Sequence, residues 1–320
     1  MTTEAPSALR FSAVICTYNR YGLLTKAVDS LLEQDADPGQ FEILVVDNSP
    51  PGAERDSWRE HYGRNPRIRY VTVDRPGLAN ARNVAVKEAR GEIVGFLDDD
   101  AIASPGWTRA YLRAFDAFGA EAQIAGGAIA PLFEAPRPDW LHDKLLVYFT
   151  VIHWGDSTRF LSKEQWVAGA NIAYRKSAYE AAGGCNTSLG RVGAEATLMS
   201  NEETELVERI EANGGRTLYA PDARVEHLVP ANRMTRAWLR RRVLWQAISD
   251  MIAGKKDRAP REQRERELMD YIAHVPARER SLRAFFFDAQ DPELFYWQLQ
   301  ALYTLEGLIA ETGELFPESD

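Results

Sequence analysis

The chain has 320 residues, enough for one large α/β domain with an appendage or for two domains. With 45% hydrophobic and 27% charged residues it reads as a soluble globular protein, and no apolar run approaches the roughly 20 residues of a membrane span. A net charge of −9 argues against a nucleic-acid partner, and two cysteines, Cys16 and Cys185, exclude a disulfide framework or a cysteine metal cluster. Residues 1–10 form a tail without the apolar core of a signal peptide, so a cytoplasmic, reducing location is the expectation. Phe11 to Cys16 reads as an apolar strand running into Thr17-Tyr18-Asn19-Arg20. A helix follows, with Leu24, Val28, Leu31 and Leu32 at helical spacing, and Asp37-Pro38-Gly39 makes a turn. Phe41 to Val46 is a second buried strand closing on Asp47-Asn48-Ser49, and Ile68 to Val73 is a third. Asp74, Arg75 and Gly77 then lead into Leu78 to Asn83. Ile93 to Leu97 is a fourth strand that ends abruptly in Asp98-Asp99-Asp100.

Strands alternating with helices imply right-handed crossovers, a mostly parallel sheet of Rossmann-like type, and ligands at the carboxyl ends of the strands. The residues at those ends are Thr17, Tyr18, Arg20, Asp47, Asn48, Asp74, Arg75 and the aspartate triplet. An aromatic, acidic and basic set on one rim suits a nucleotide, through ring stacking, ribose or base hydrogen bonds and phosphate pairing. Three adjacent carboxylates repel unless they are solvated, bond backbone amides or hold a cation, and a hard divalent ion such as Mg²⁺ or Mn²⁺ suits them. A dinucleotide site needs a glycine-rich turn after the first strand, which Thr17-Tyr18-Asn19-Arg20 does not provide, and there is no Walker-type loop.

Ser104-Pro105 predicts a helix start with proline at the first position, and Gln123 to Ala130 a strand whose Gly126-Gly127 admits a close neighbour or ligand. Pro131 to Lys163 reads as irregular; its Asp139-Trp140 and His153-Trp154 either line a sugar pocket or fasten a long loop. Trp166 to Asn171 leads into a strand ending at Tyr174, followed by a short helix, Ser177 to Gly184. Leu189 to Met199 reads as a mobile loop entering a helix that begins Asn201-Glu202-Glu203. Acids in a first helical turn are ordinary dipole partners, but a carboxylate there can also serve as a general base. Ala223 to Glu226 reads as a strand presenting His227 at its end. Five arginines between Arg233 and Arg242 mark an amphipathic basic helix facing lipid head groups, a phosphate-bearing acceptor or simply water. Lys255 to Glu267 reads as charged helix or linker, and Phe285 to Leu308 as helices packing on the domain or on another subunit.

As a set, Cys16 to Arg20, Val45 to Asn48, Gly77 to Asn83, Phe96 to Asp100, Trp166 to Asn171, Glu202 to Leu206 and Val225 to His227 followed by Arg233 resemble the family-2 glycosyltransferases. The resemblance implies a GT-A fold over residues 11–230 with a C-terminal helical region, 231–320. It implies an inverting, metal-dependent transferase that moves a sugar from a UDP, GDP or dTDP-type donor to a saccharide, lipid-linked or small-molecule hydroxyl. Relatives build cell-surface polysaccharides and decorate natural products. Asp98 and Asp100 match the Asp-x-Asp pair, with Asp99 between them, and His227 a position that completes the Mn²⁺ or Mg²⁺ site. Thr17, Tyr18, Arg20, Asp47 and Asn48 match the surroundings of the nucleotide, and Arg75, Arg82 and Asn83 the vicinity of its phosphates. Trp166, Gly169, Ala170 and Asn171 match the floor of the sugar and acceptor site. The usual catalytic Glu-Asp pair reads Glu202-Glu203 here, which puts Glu203 in the position of the base, with Glu202 as the alternative.

Two other functions compete. A sugar-phosphate nucleotidyltransferase is expected to carry a glycine-rich loop with a basic residue after the first strand, which is absent. A non-catalytic nucleotide- or sugar-binding relative has less reason to keep three adjacent repelling acids. The basic helix adds peripheral contact with the inner face of the membrane as an expectation.

Overall fold

The computed structural model describes residues 9–190, 198, 200–253 and 259–311. Most of the loop expected over Leu189 to Met199, and the start of the charged stretch from Lys255, lie outside these residues. Four strands form a parallel block in the order β3-β2-β1-β4: β1 (Phe11–Thr17), β2 (Phe41–Asp47), β3 (Ile68–Thr72) and β4 (Ile93–Leu97). Helices α1 (Tyr21–Leu32), α2 (Ala53–Tyr62) and α3 (Leu78–Glu88) make the crossovers. The register aligns Thr17 with Asp47 and Asp47 with Thr72, so the carboxyl ends of these strands share one rim.

Side chains of β1 and β2 alternate between two cores, as the period of two requires. Ala13, Ile15, Ile43 and Val45 pack under α1 and α4 (Trp107–Phe118), whereas Val14, Leu44 and Val46 pack with α3 and α6 (Glu202–Ala212). Beyond β4 the sheet turns antiparallel through β8 (Asn171–Arg175), β6 (Ala122–Phe133), β9 (Arg216–Val229) and β5 (Ala101–Ala103). The two-residue β7 (Arg159–Phe160) pairs with β9. The parallel part is therefore confined to the N-terminal block.

Several local expectations change. Pro105 is not the first residue of α4, because Ser104 to Gly106 form a turn in which the Trp107 N–H bonds the Ser104 carbonyl. The strand bearing His227 is 14 residues long, so His227 lies inside it. The irregular segment after Pro131 contains a 3₁₀ stretch, Asp143–Phe149, and a bridge between Ile129 and Ile152. Gly126 and Gly127 do admit close neighbours, but those neighbours are Val167, the Ala223 carbonyl and Asn171.

The chain divides into two units. The sheet unit comprises Met1–Leu132, Thr150–Ala196 and Glu202–Leu228; the helical unit comprises Phe133–Phe149, Thr197–Asn201 and Val229–Asp320. The helical unit carries α7 (Arg236–Ile252), α8 (Arg261–His274) and α9 (Pro292–Glu311). Thr235 caps α7 by accepting from the Trp238 N–H. The arginines of this helix are largely engaged within their own unit. Arg236 sits over the rings of Trp140 and Phe295, Arg240 bonds Gln298 and the Phe287 carbonyl, and Arg242 bonds Gln246. That arrangement gives the expected lipid-facing role no support. Trp140, considered above for a sugar pocket, is likewise packed edge-on against Phe295. No helix among the described residues is long and apolar enough to cross a membrane.

Candidate functional site

The segments that leave the strands grip one another. After β1, Thr17 donates its hydroxyl to Asp99 Oδ2 at 2.7 Å, and Arg20 pairs with Asp99 at 2.7 Å and Asp100 at 2.5 Å. The turn that makes this possible passes through Asn19 at φ +55°, a left-handed conformation that asparagine tolerates better than most residues. After β2, Asn48 donates to the Val73 and Arg75 carbonyls and accepts from the Gly77 N–H. Gly77, at φ +129°, then starts α3. These segments enclose a cavity of about 400 Å³ lined by Cys16, Thr17, Tyr18, Asn19, Arg20, Asn48, Gly77, Leu78, Ala81, Asp98 and Asp99. Leu78 and Ala81 were not singled out as site residues in the sequence; their signal is their place in the first turn of a helix that follows a strand end.

Next to this cavity Asp98, Asp100 and His227 bring one donor atom each to within 4.8 Å of one another. The pairing of β9 with β5 sets Ala101 opposite His227, which carries the imidazole to the aspartates. His227 Nε2 lies 3.2 Å from Asp100 Oδ1. Burial works against a charged Asp100, but His227 and Arg20 outweigh it and hold its carboxyl far below the usual range. Burial pushes Asp99 the other way, upward, opposed by Arg20 and reinforced by the charge on Asp100. Two carboxylates and an imidazole at this spacing fit a divalent cation of the Mn²⁺ or Mg²⁺ kind.

A second cluster lies behind Asp98. Arg82, on α3 and only 4% exposed, bonds Glu202 Oε1 at 2.9 Å and lies 3.6 Å from Asp98 Oδ1, its guanidinium over the Phe96 ring. Burial opposes its charge, but Glu202, Asp98 and Glu203 raise its pKa further still. Gly169 makes the room, since a Cβ there would stand 2.3 Å from Arg82 Nη2. Glu203 accepts from the Gly169 N–H at 3.3 Å, and its other oxygen is buried with no hydrogen-bond partner among the described residues. Ala170, also buried, accepts from the Asp98 N–H.

Three residues expected at the ligand, Asp47, Asn83 and Asn171, spend their side-chain polar atoms inside the protein. Asp47 is 0% exposed, and its oxygens accept from Tyr21, Tyr70 and the Ser49 N–H. Asn83 is spent on Tyr179 and on both backbone groups of Cys185. Asn171, also 0% exposed, accepts from Trp107 and Tyr111 and donates to the Ala128 and Ala223 carbonyls, so it fastens the sheet and does not floor a pocket. Arg75 is exposed and gives the turn its carbonyl. Trp166 is half-buried; its carbonyl receives the Trp154 indole N–H, so His153-Trp154 belongs to a fastened loop.

The sequence model of Glycosyl transferase family 2 matches residues 12–182, more than half of the chain. The chain belongs to this family. It is 25% identical over 249 residues to Glucosyl-dolichyl phosphate glucuronosyltransferase of Haloferax volcanii, covering 76% of this chain and 77% of that one. It is 27% identical over 227 residues to Validoxylamine A glucosyltransferase of Streptomyces hygroscopicus subsp. limoneus, covering 63% of this chain and 48% of that protein, so it spans about half the length of that relative. Among solved structures it resembles the mannosyltransferase PcManGT from Pyrobaculum calidifontis, in complex with GDP-Man and Mn²⁺. The TM-score is 0.59 at 19% identity, over 98% of this chain and 89% of that one. It also resembles S. aureus TarS 1-349 in complex with UDP-GlcNAc, with a TM-score of 0.54 at 16% identity, over 95% and 92% of the two chains. The fold of this family-2 chain is thus GT-A.

Proposed function

We propose that this family-2 protein is an inverting, divalent-metal-dependent glycosyltransferase using a nucleoside-diphosphate sugar. The observation that carries the reading is that Asp98 belongs both to the cation-type triad and to the wall of the cavity. Nucleotide-sugar complexes of proteins with the same fold support the donor class. Tyr18 offers the cavity a ring for the base, and Thr17, Arg20, Asn48 and Asp99 frame it with polar groups. Asp98, Asp100 and His227 would hold Mn²⁺ or Mg²⁺, which when bound neutralises charge on the departing diphosphate.

Glu203 supplies the base. Glu202 is committed to Arg82, whereas Glu203 keeps an oxygen with no partner among the described residues. That oxygen takes the proton of the acceptor hydroxyl as the acceptor oxygen bonds to the anomeric carbon and the bond from carbon to diphosphate oxygen breaks. Attack from the side opposite the leaving group inverts the centre. The acceptor class stays broad: a saccharide, a lipid-linked saccharide or a small molecule. Free thiols at Cys16 and Cys185 support a cytoplasmic setting.

The test is a thermal-shift panel of UDP, GDP, dTDP and CMP, each with Mn²⁺ or EDTA, on wild type and Asp100→Ala. One diphosphate is expected to stabilise the wild type only with metal and to leave Asp100→Ala unmoved. If no nucleotide stabilises the wild type, the proposal fails.

A further inference from the structure

Arg82 serves two acids with one charge. Its guanidinium is buried and lies 2.9 Å from the buried Glu202 and 3.6 Å from Asp98, whose side chain is 35% exposed. Nη1 takes Glu202 and Nη2 faces Asp98, so both contacts draw on one guanidinium and one position of it. The distances are uneven: Glu202 holds the short contact, and Asp98 Oδ1, a member of the triad, holds the long one. The surroundings keep this division in place. Phe96 backs the guanidinium, Gly169 leaves it space, and Gly190, at φ +83°, sits where a Cβ would stand 3.1 Å from the Glu202 carboxylate. Glu202 in turn opens α6, whose next residue is Glu203.

We propose that Arg82 is a positioning residue that couples the cation site to the base-bearing helix. Glu202 draws the guanidinium away from Asp98 and so leaves Asp98 available to a divalent cation. A cation on Asp98 repels Arg82 toward Glu202 and tightens the clamp on the first turn of α6. By reciprocity, each event favours the other by the same factor. This inference rests on the reading of Asp98, Asp100 and His227 as the metal site. An ion pair that only stabilises the fold would leave metal affinity alone, because Glu202 is not a member of the triad.

Mn²⁺ affinity, measured by electron paramagnetic resonance on the full chain with and without each nucleoside diphosphate of the panel, distinguishes the two. Glu202→Gln frees the guanidinium to move onto Asp98 and is expected to weaken Mn²⁺ binding by about 5- to 20-fold. Glu202→Asp, which keeps the charge, is expected to stay within about twofold of wild type. In an Arg82→Met background Glu202→Gln should have no further effect, a non-additivity that marks coupling through Arg82. Affinity in Glu202→Gln within about twofold of wild type overturns the coupling alone, as does an equal loss in Glu202→Gln and Glu202→Asp. A wild type that binds no Mn²⁺ overturns the metal reading, and the coupling with it.

Discussion

Two carboxylates, one in each unit, are treated in opposite ways: Asp250 is buried and Glu203 half-buried. In the helical unit Asp250 has both oxygens occupied: Oδ1 accepts from Asn201 and Gln246, and Oδ2 from Tyr303. In the sheet unit Glu203 has one oxygen on the Gly169 amide and the other buried with no partner among the described residues. A satisfied network of the first kind fixes a local structure, whereas an unmet acceptor costs stability and is kept where something else is to fill it. The surfaces differ as well. All six exposed large hydrophobic residues among those described, Val147, Ile252, Met269, Leu282, Phe286 and Trp297, belong to the helical unit. The sheet unit thus concentrates its unusual chemistry inside, at the strand ends.

This contrast can be broken or sharpened by substitution. The largest expected effect is on Glu203→Gln, which should cut sugar transfer by about 10²- to 10⁴-fold while nucleotide binding in the thermal-shift panel is retained. Glu202→Gln should lose less; the reverse order would move the base to Glu202. In the helical unit Asp250→Ala removes three hydrogen bonds and is expected to lower unfolding free energy by about 2–4 kcal/mol in a urea titration. Gly169→Ala puts a methyl against Arg82 Nη2 and should cost about 1–3 kcal/mol in the same assay, with weakened Mn²⁺ binding. Burial pushes the Cys185 thiol up to about 11 and Cys16 to about 12, so both stay protonated at pH 8. Ellman's reagent should therefore react slowly with the native protein at pH 8 and rapidly after unfolding. The smallest effect is expected for Leu282→Ser with Phe286→Ser, exposed residues whose loss should change stability by no more than about 0.5 kcal/mol.

Much of the site was legible because parallel topology dictates where strand ends go. Thr17, Arg20, Asn48 and Asp98 to Asp100 all reach the rim for that reason. Polar residues beside them were harder to read, since a side chain that faces a ligand and one that braces the backbone look alike in a sequence. Asp47 braces two tyrosines, and Asn171 bonds Trp107 and Tyr111, which are 64 and 60 residues away along the chain. Such partners follow from the order of strands in the sheet and leave no local periodicity. The sequence put Glu203 before Glu202 as the base but did not show their different partners, because only the folded chain brings Arg82 to one of them.

The pairing of β9 with β5 also has a consequence for biosynthesis. Asp98 and Asp100 are made early, but their imidazole partner arrives only with His227, on a strand that joins the sheet after most of it has been translated. A nascent chain leaving the ribosome at about 5–20 residues per second would carry the two acids for several seconds before the histidine appeared. During that interval the half-built cluster offers carboxylates alone; on the proposed function, capture of a divalent cation by all three groups would wait for long-range strand pairing. The last steps of folding and any loading of metal would then be joined in time.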